Sequence, residues 1–237
     1  MKVITKKIID PASVIEGEYN LKKLIFLRIN PEDKVECLRK IYERLSDKSW
    51  ISRFKQAYIR KSYESRVNKT LKVISDNLNI GVADKITSEA GEYLVSELSR
   101  ETIIDELNYS DIPLDELRKE QKKSNPGFDF HSESIDNLII FGESKYLSRD
   151  NAYGSALSQI VDFIKNDKDL DEIAELEKFV SVNSLENFEK GNKGYAAAFS
   201  AHSIEDRKLI ENIMKNDSFS FLLNYDELIL LAVNVNE

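Results

Sequence analysis

Residues 127–146 read Gly127-Phe128-Asp129-Phe130-His131-Ser132-Glu133-Ser134-Ile135-Asp136-Asn137-Leu138-Ile139-Ile140-Phe141-Gly142-Glu143-Ser144-Lys145-Tyr146. Two mainly apolar runs flank a short turn at Ile135-Asp136-Asn137, which predicts a β-hairpin. Side chains alternate faces along a strand, so Glu143 and Lys145 point the same way. A turn centred on Asp136 pairs residues whose numbers add to 272, which sets Asp129 opposite Glu143. Opposed side chains on antiparallel strands stand about 4.5–5.5 Å apart at Cβ. The face of Asp129 also carries His131, Ile139 and Phe141; the other carries Phe128, Phe130, Leu138 and Ile140. A hairpin apolar on both faces is expected to be buried and central.

Two carboxylates that close repel each other unless a cation sits between them. Oxygen ligands suit Mg²⁺ or Mn²⁺ rather than zinc. Three ionisable groups at the end of a buried strand are costly and call for a functional explanation. Paired acids with a nearby lysine are what metal-dependent phosphodiester cleavage requires. The competing reading is an edge-strand salt bridge. Acid-x-lysine triplets recur in a chain that is 32% charged, as in Glu32-Asp33-Lys34, Glu120-Gln121-Lys122 and Asp206-Arg207-Lys208. Those lie in polar surroundings where solvated pairs suffice. Only Glu143 follows an apolar run and has a facing aspartate. His131 is either a base or phosphate contact, or a histidine hydrogen-bonded inside the hairpin.

Asp129 followed by Glu143-Ser144-Lys145 at the end of an apolar strand resembles the PD-(D/E)xK nuclease superfamily, whose core runs helix, three strands, helix, strand. Helical periodicity over 86–98 and 151–166 fits the two helices. The stretch from Pro126 to Ile160 is similar to the nuclease subunit of the Hachiman anti-phage defence system, which works beside a helicase subunit. The resemblance implies Asp129 and Glu143 as metal ligands, with the Ser144 backbone carbonyl as a third. It implies Lys145 as the group that polarises the attacking water and offsets transition-state charge. An acid on the first helix also fits, Glu89 or Glu92, with Glu89 favoured because it borders the apolar face. Gln159 fits a polar slot on the second helix, or is an ordinary residue beside a buried stripe. Ser144 stands where members often carry an aliphatic residue. The implied fold is mixed α/β: a restriction-endonuclease-like core with a central mixed sheet flanked by helices and an N-terminal α/β extension.

The chain has 237 residues and 41% hydrophobic content, enough for a substantial core. Its single cysteine, Cys37, excludes an intrachain disulfide and suits a reducing compartment. The first residues lack an apolar signal region and no segment reads as a membrane span, so a cytoplasmic protein is expected. Net charge is −8, unfavourable for DNA, yet residues 39–72 carry 11 Lys or Arg against 3 acids. Arg53, Lys55, Arg60 and Lys61 lie there, interleaved with Trp50, Phe54, Tyr58 and Tyr63. Such interleaving suits backbone tracking with base stacking; the alternative is a helix with a solvated face. Lys122 and Lys123 lead into the hairpin and are placed to meet a phosphate near the metal.

Strands are predicted over 2–9, 21–29, 195–201 and 228–235, and helices over 31–45, 170–180 and 203–215. Residues 115–120 are a candidate first core strand. Asn79-Ile80-Gly81 marks a boundary between an N-terminal region (1–80) and a nuclease core (81–237). Restriction endonuclease, junction resolvase and a non-catalytic DNA- or partner-binding subunit are the competing functions.

Overall fold

The computed structural model describes residues 2–31, 33–78, 88–118, 127–202 and 204–234. They form a mixed α/β fold around a six-stranded sheet. Its strands are β1 (Lys2–Ile9), β2 (Lys23–Asn30), β3 (Phe130–Glu133), β4 (Ile139–Lys145), β5 (Gly194–Ala201) and β6 (Glu227–Asn234), ordered β1-β2-β6-β5-β4-β3. The inner strands β2, β6, β5 and β4 run parallel, and each edge strand pairs antiparallel. Parallel strands covered on both faces read as unbroken apolar runs. Thus Leu228 to Val233 and Tyr195 to Phe199 are fully buried. Edge strand β1 instead exposes Lys2, Lys6 and Lys7, charges that discourage pairing with another chain. The N-terminal strands β1 and β2 extend the sheet that carries the hairpin.

Helices α1 (Lys34–Leu45), α2 (Ala57–Leu78) and α3 (Ser88–Leu107) follow β2. Helix α3 lies across β2 to β6 and is covered in turn by α1 and α2. Leu94 through Arg100 are therefore all buried, polar residues included, as expected of a helix enclosed on all sides. Arg100 answers the buried Glu97 with a paired guanidinium contact and also meets Asp111. A short helix α4 (Asp115–Arg118) stands where a first core strand was expected, and residues 119–120 lie outside the described set. Helix α5 (Tyr153–Lys165) packs on β4 and β5 with Ala156, Leu157, Ile160 and Val161 inward. The remaining helices are α6 (Lys168–Leu176), α7 (Val182–Glu189), α8 (Asp206–Met214) and α9 (Asp217–Leu222). Among the described residues no helix is long and apolar enough to cross a membrane.

The hairpin keeps its expected register, Phe130 pairing with Gly142, His131 with Phe141, Ser132 with Ile140 and Glu133 with Ile139, and is buried, but it is not central: β3 is an edge of the sheet. Asn137 takes a left-handed φ of 56° in the turn, a conformation asparagine tolerates well. The ladder breaks at its open end. The Asp129 N–H donates to the Gly142 carbonyl at 2.9 Å, one residue out of register. Phe128 consequently leaves the face alternation assigned to it and packs with His131 and Phe141, ring centres 6.2 and 5.2 Å away.

Candidate active site

The break in the ladder decides how the acids meet. Released from strict pairing, the Asp129 carboxylate does not face Glu143 squarely. It turns to Ser144, accepting that residue's backbone N–H at 2.8 Å and its hydroxyl at 2.5 Å through one oxygen. The serine that stands in place of an aliphatic residue is a hydrogen-bond donor to the first acid. Glu143 is 2% exposed and holds Lys145 through one oxygen, Oε1 to Nζ, at 2.6 Å. Its other oxygen, Oε2, is buried with no hydrogen-bond partner among the described residues. Such an orphan costs about 1–3 kcal/mol, more when charged.

The electrostatics agree with that geometry. Burial pushes the Glu143 carboxyl well above its ordinary range, and the negative neighbours Asp129 and Glu92 push the same way against Lys145. Burial also raises Asp129, against the opposing hydrogen bonds from Ser144 and the charge of Lys145. Burial alone would lower Lys145, but the charges of Glu143, Asp129 and Glu92 outweigh it and hold the ammonium above its usual value. Lysine in this setting stays charged.

Glu92 on α3 therefore belongs to the cluster. The side chain of Glu89, the favoured helix acid, lies outside the described residues. Helix α3 comes this close because residue 91 is glycine: a Cβ there would stand 2.4 Å from the Tyr146 ring. A glycine inside a helix costs about 1 kcal/mol relative to alanine, and that unfavourable choice was the sequence signal for a close approach. Gln159 is half-buried on α5 and makes no hydrogen bond to Asp129, Glu143 or Lys145 among the described residues.

A second polar cluster lies behind Asp129. Asp115, His131 and Glu172 bring ligand-type atoms within 4.8 Å of one another, but the Arg118 guanidinium already supplies positive charge there. It meets Asp115 at 2.5 Å and His131 Nδ1 at 2.9 Å. Arginine can only donate, so Nδ1 accepts and His131 Nε2–H donates to Glu172 at 2.7 Å. His131 is the hydrogen-bonded histidine of the hairpin, with both ring nitrogens engaged.

The basic segment is built differently from the expected stacking surface. Trp50, Phe54 and Tyr63 pack with one another and with Phe179, ring centres 4.9–6.5 Å apart. Burial of large rings outweighs their use at the surface; of the four aromatics, Tyr58 is the strongly exposed one. Arg53 donates to the Trp50 carbonyl and covers the Phe179 ring, and Arg60 donates to the carbonyls of Phe54 and Lys55. Lys55 and Lys61 are exposed; Lys122 and Lys123 lie outside the described residues. No family model, no curated protein and no solved structure matches this chain.

Proposed function

We propose that this protein is a metal-dependent nuclease that cleaves phosphodiester bonds of DNA at the end of β4. The observation that carries the reading is the Oε2 of Glu143, buried and unpartnered among the described residues, set with two further carboxyls, Asp129 and Glu92, and one ammonium, Lys145. A hard divalent cation answers both the missing partner and the excess negative charge. Asp129 and Glu143 would hold Mg²⁺ or Mn²⁺, with the Ser144 carbonyl and a helix acid from α3, Glu89 or Glu92, of which Glu92 acts by its charge on Glu143 and Lys145. Bound there, the ion supplies Lewis acidity and lowers the pKa of a coordinated water.

The chain's own residues supply the rest. Lys145, held protonated, stabilises negative charge developing on the phosphate oxygens. Ser144 steadies Asp129 in its ionised form through two donated hydrogen bonds. His131 is committed to Arg118 and Glu172 and is not the base. Gln159 on α5 is assigned to substrate or water placement. Exposed Lys55 and Lys61 offer weak backbone contacts on an otherwise acidic chain, which suits delivery by a partner. Action beside a helicase in an anti-phage defence system rests on the likeness of residues 126–160 to the Hachiman nuclease subunit.

The test is cleavage of supercoiled and linear DNA with Mg²⁺ or Mn²⁺, with and without a helicase encoded alongside. Wild type should cut only with the ion, and Glu143→Ala and Lys145→Ala should not cut. Cutting that survives both substitutions refutes the assignment.

A further inference from the structure

Of the two acids on the hairpin, Asp129 is the one that does not stand within a regular strand, because the ladder ends at Phe130. Something other than sheet pairing must fix it. The residues on either side of it converge on one side chain, Glu172 of α6. Glu172 Oε1 accepts the Phe128 N–H at 3.0 Å, and Oε2 accepts His131 Nε2–H at 2.7 Å. The far side of the imidazole is closed by Arg118, which also grips Asp115 and the Pro113 carbonyl. The backbone N–H of Asp115 in turn points at the Asp129 carbonyl, 3.4 Å away. Arg118 and His131 are fully buried and Glu172 is 3% exposed.

A buried network of this kind is fully stabilising only when its members are satisfied together, and here Arg118 Nη1 is buried with no partner among the described residues. Its energetic cost makes sense if it places something. We propose that Glu172, with His131 and Arg118, is the positioning device for Asp129. These residues touch neither ion nor substrate; they clamp the backbone from 128 to 131 so that the Asp129 carboxylate meets Ser144 and the cation. This inference rests on the nuclease reading for its purpose, but the placement itself is measurable without it. Partners that orient a ligand commonly change metal affinity about 10–100-fold when removed.

The experiment uses ¹⁵N-labelled full-length protein as wild type, Glu172→Ala and Glu172→Gln. The Ser144 amide, which donates to Asp129, reports where that carboxylate stands. In Glu172→Ala its proton resonance should move upfield and Mn²⁺ affinity should fall about 10–100-fold. Glutamine keeps an acceptor for Phe128 but turns an N–H toward His131, so it should shift both readouts in the same direction by less. Should the alanine variant fail to fold, the glutamine variant decides. A lowered melting temperature with an unmoved Ser144 amide, or with unchanged Mn²⁺ affinity, would make the network purely structural and overturn the proposal. A wild type that binds no Mn²⁺ would defeat the nuclease reading, and the Ser144 amide would still decide the placement of Asp129.

Discussion

Asp129 and Ser144 are bound twice over: one carboxylate oxygen of the aspartate accepts both the backbone N–H and the hydroxyl of the serine. The pairing ties the irregular end of the hairpin to the strand that carries Glu143 and Lys145. Both bonds favour the ionised carboxylate, opposing the burial that raises its pKa.

Ser144→Ala removes one of those donors. The Asp129 carboxyl should titrate higher still, and the pH midpoint for Mn²⁺ binding should move to the alkaline side. The loss of stability should be about 0.5–1.5 kcal/mol. A Mn²⁺ titration repeated across pH, with denaturant melts alongside, measures both.

Glu143 gives a stability prediction with a definite sign. Its carboxyl titrates well above the ordinary 4.5 in the folded chain. The folded state thus binds the proton more tightly than the unfolded one, and the stability this contributes is full below pH 4.5 and lost as pH rises through the folded pKa. Without divalent ions, Glu143→Gln should therefore melt higher than wild type at neutral pH. The difference should shrink toward pH 4.5. Thermal unfolding in EDTA across that range checks it.

Much of this arrangement was legible in the chain. The run at residues 2–9 and the turn at Ile135-Asp136-Asn137 gave the first strand and the hairpin register, because both signals are local. The clamp on Asp129 was not legible, since Asp115, Arg118, His131 and Glu172 come from four places in the chain and meet only through tertiary packing. The influence of Glu92 was hidden for a related reason. Glu89 borders the apolar face of its helix, but the site lies at a strand end, where Glu92 acts on Glu143 and Lys145. Aromatics between lysines and arginines looked like a stacking surface; Phe179, more than a hundred residues away, draws three of them inward.

Gly91 is the hinge of that close approach. Gly91→Ala would place a Cβ 2.4 Å from the Tyr146 ring, forcing α3 or Tyr146 to move. Overpacking of this sort costs about 1–3 kcal/mol. Although alanine is the better helix former, this variant should be less stable than wild type, and weaker in Mn²⁺ binding because Glu92 shifts. A stabilised Gly91→Ala would mean that α3 does not pack against Tyr146 at this position.

Phe179→Ala should open the aromatic cluster of Trp50, Phe54 and Tyr63 and remove the ring beneath Arg53 and Arg118. Losses of about 3–5 kcal/mol are typical for a buried phenylalanine. Trp50 is the only tryptophan, so its emission reports the change directly and should shift to the red.

The most direct measurement is a Mn²⁺ titration followed by electron paramagnetic resonance on wild type, Glu143→Ala and Lys145→Ala. A cation shared by Asp129 and Glu143 requires one ion bound by wild type and none by Glu143→Ala. Lys145→Ala should bind the ion at least as well as wild type, since a competing positive charge is gone. No bound Mn²⁺ in wild type, or equal binding after loss of Glu143, would contradict the account.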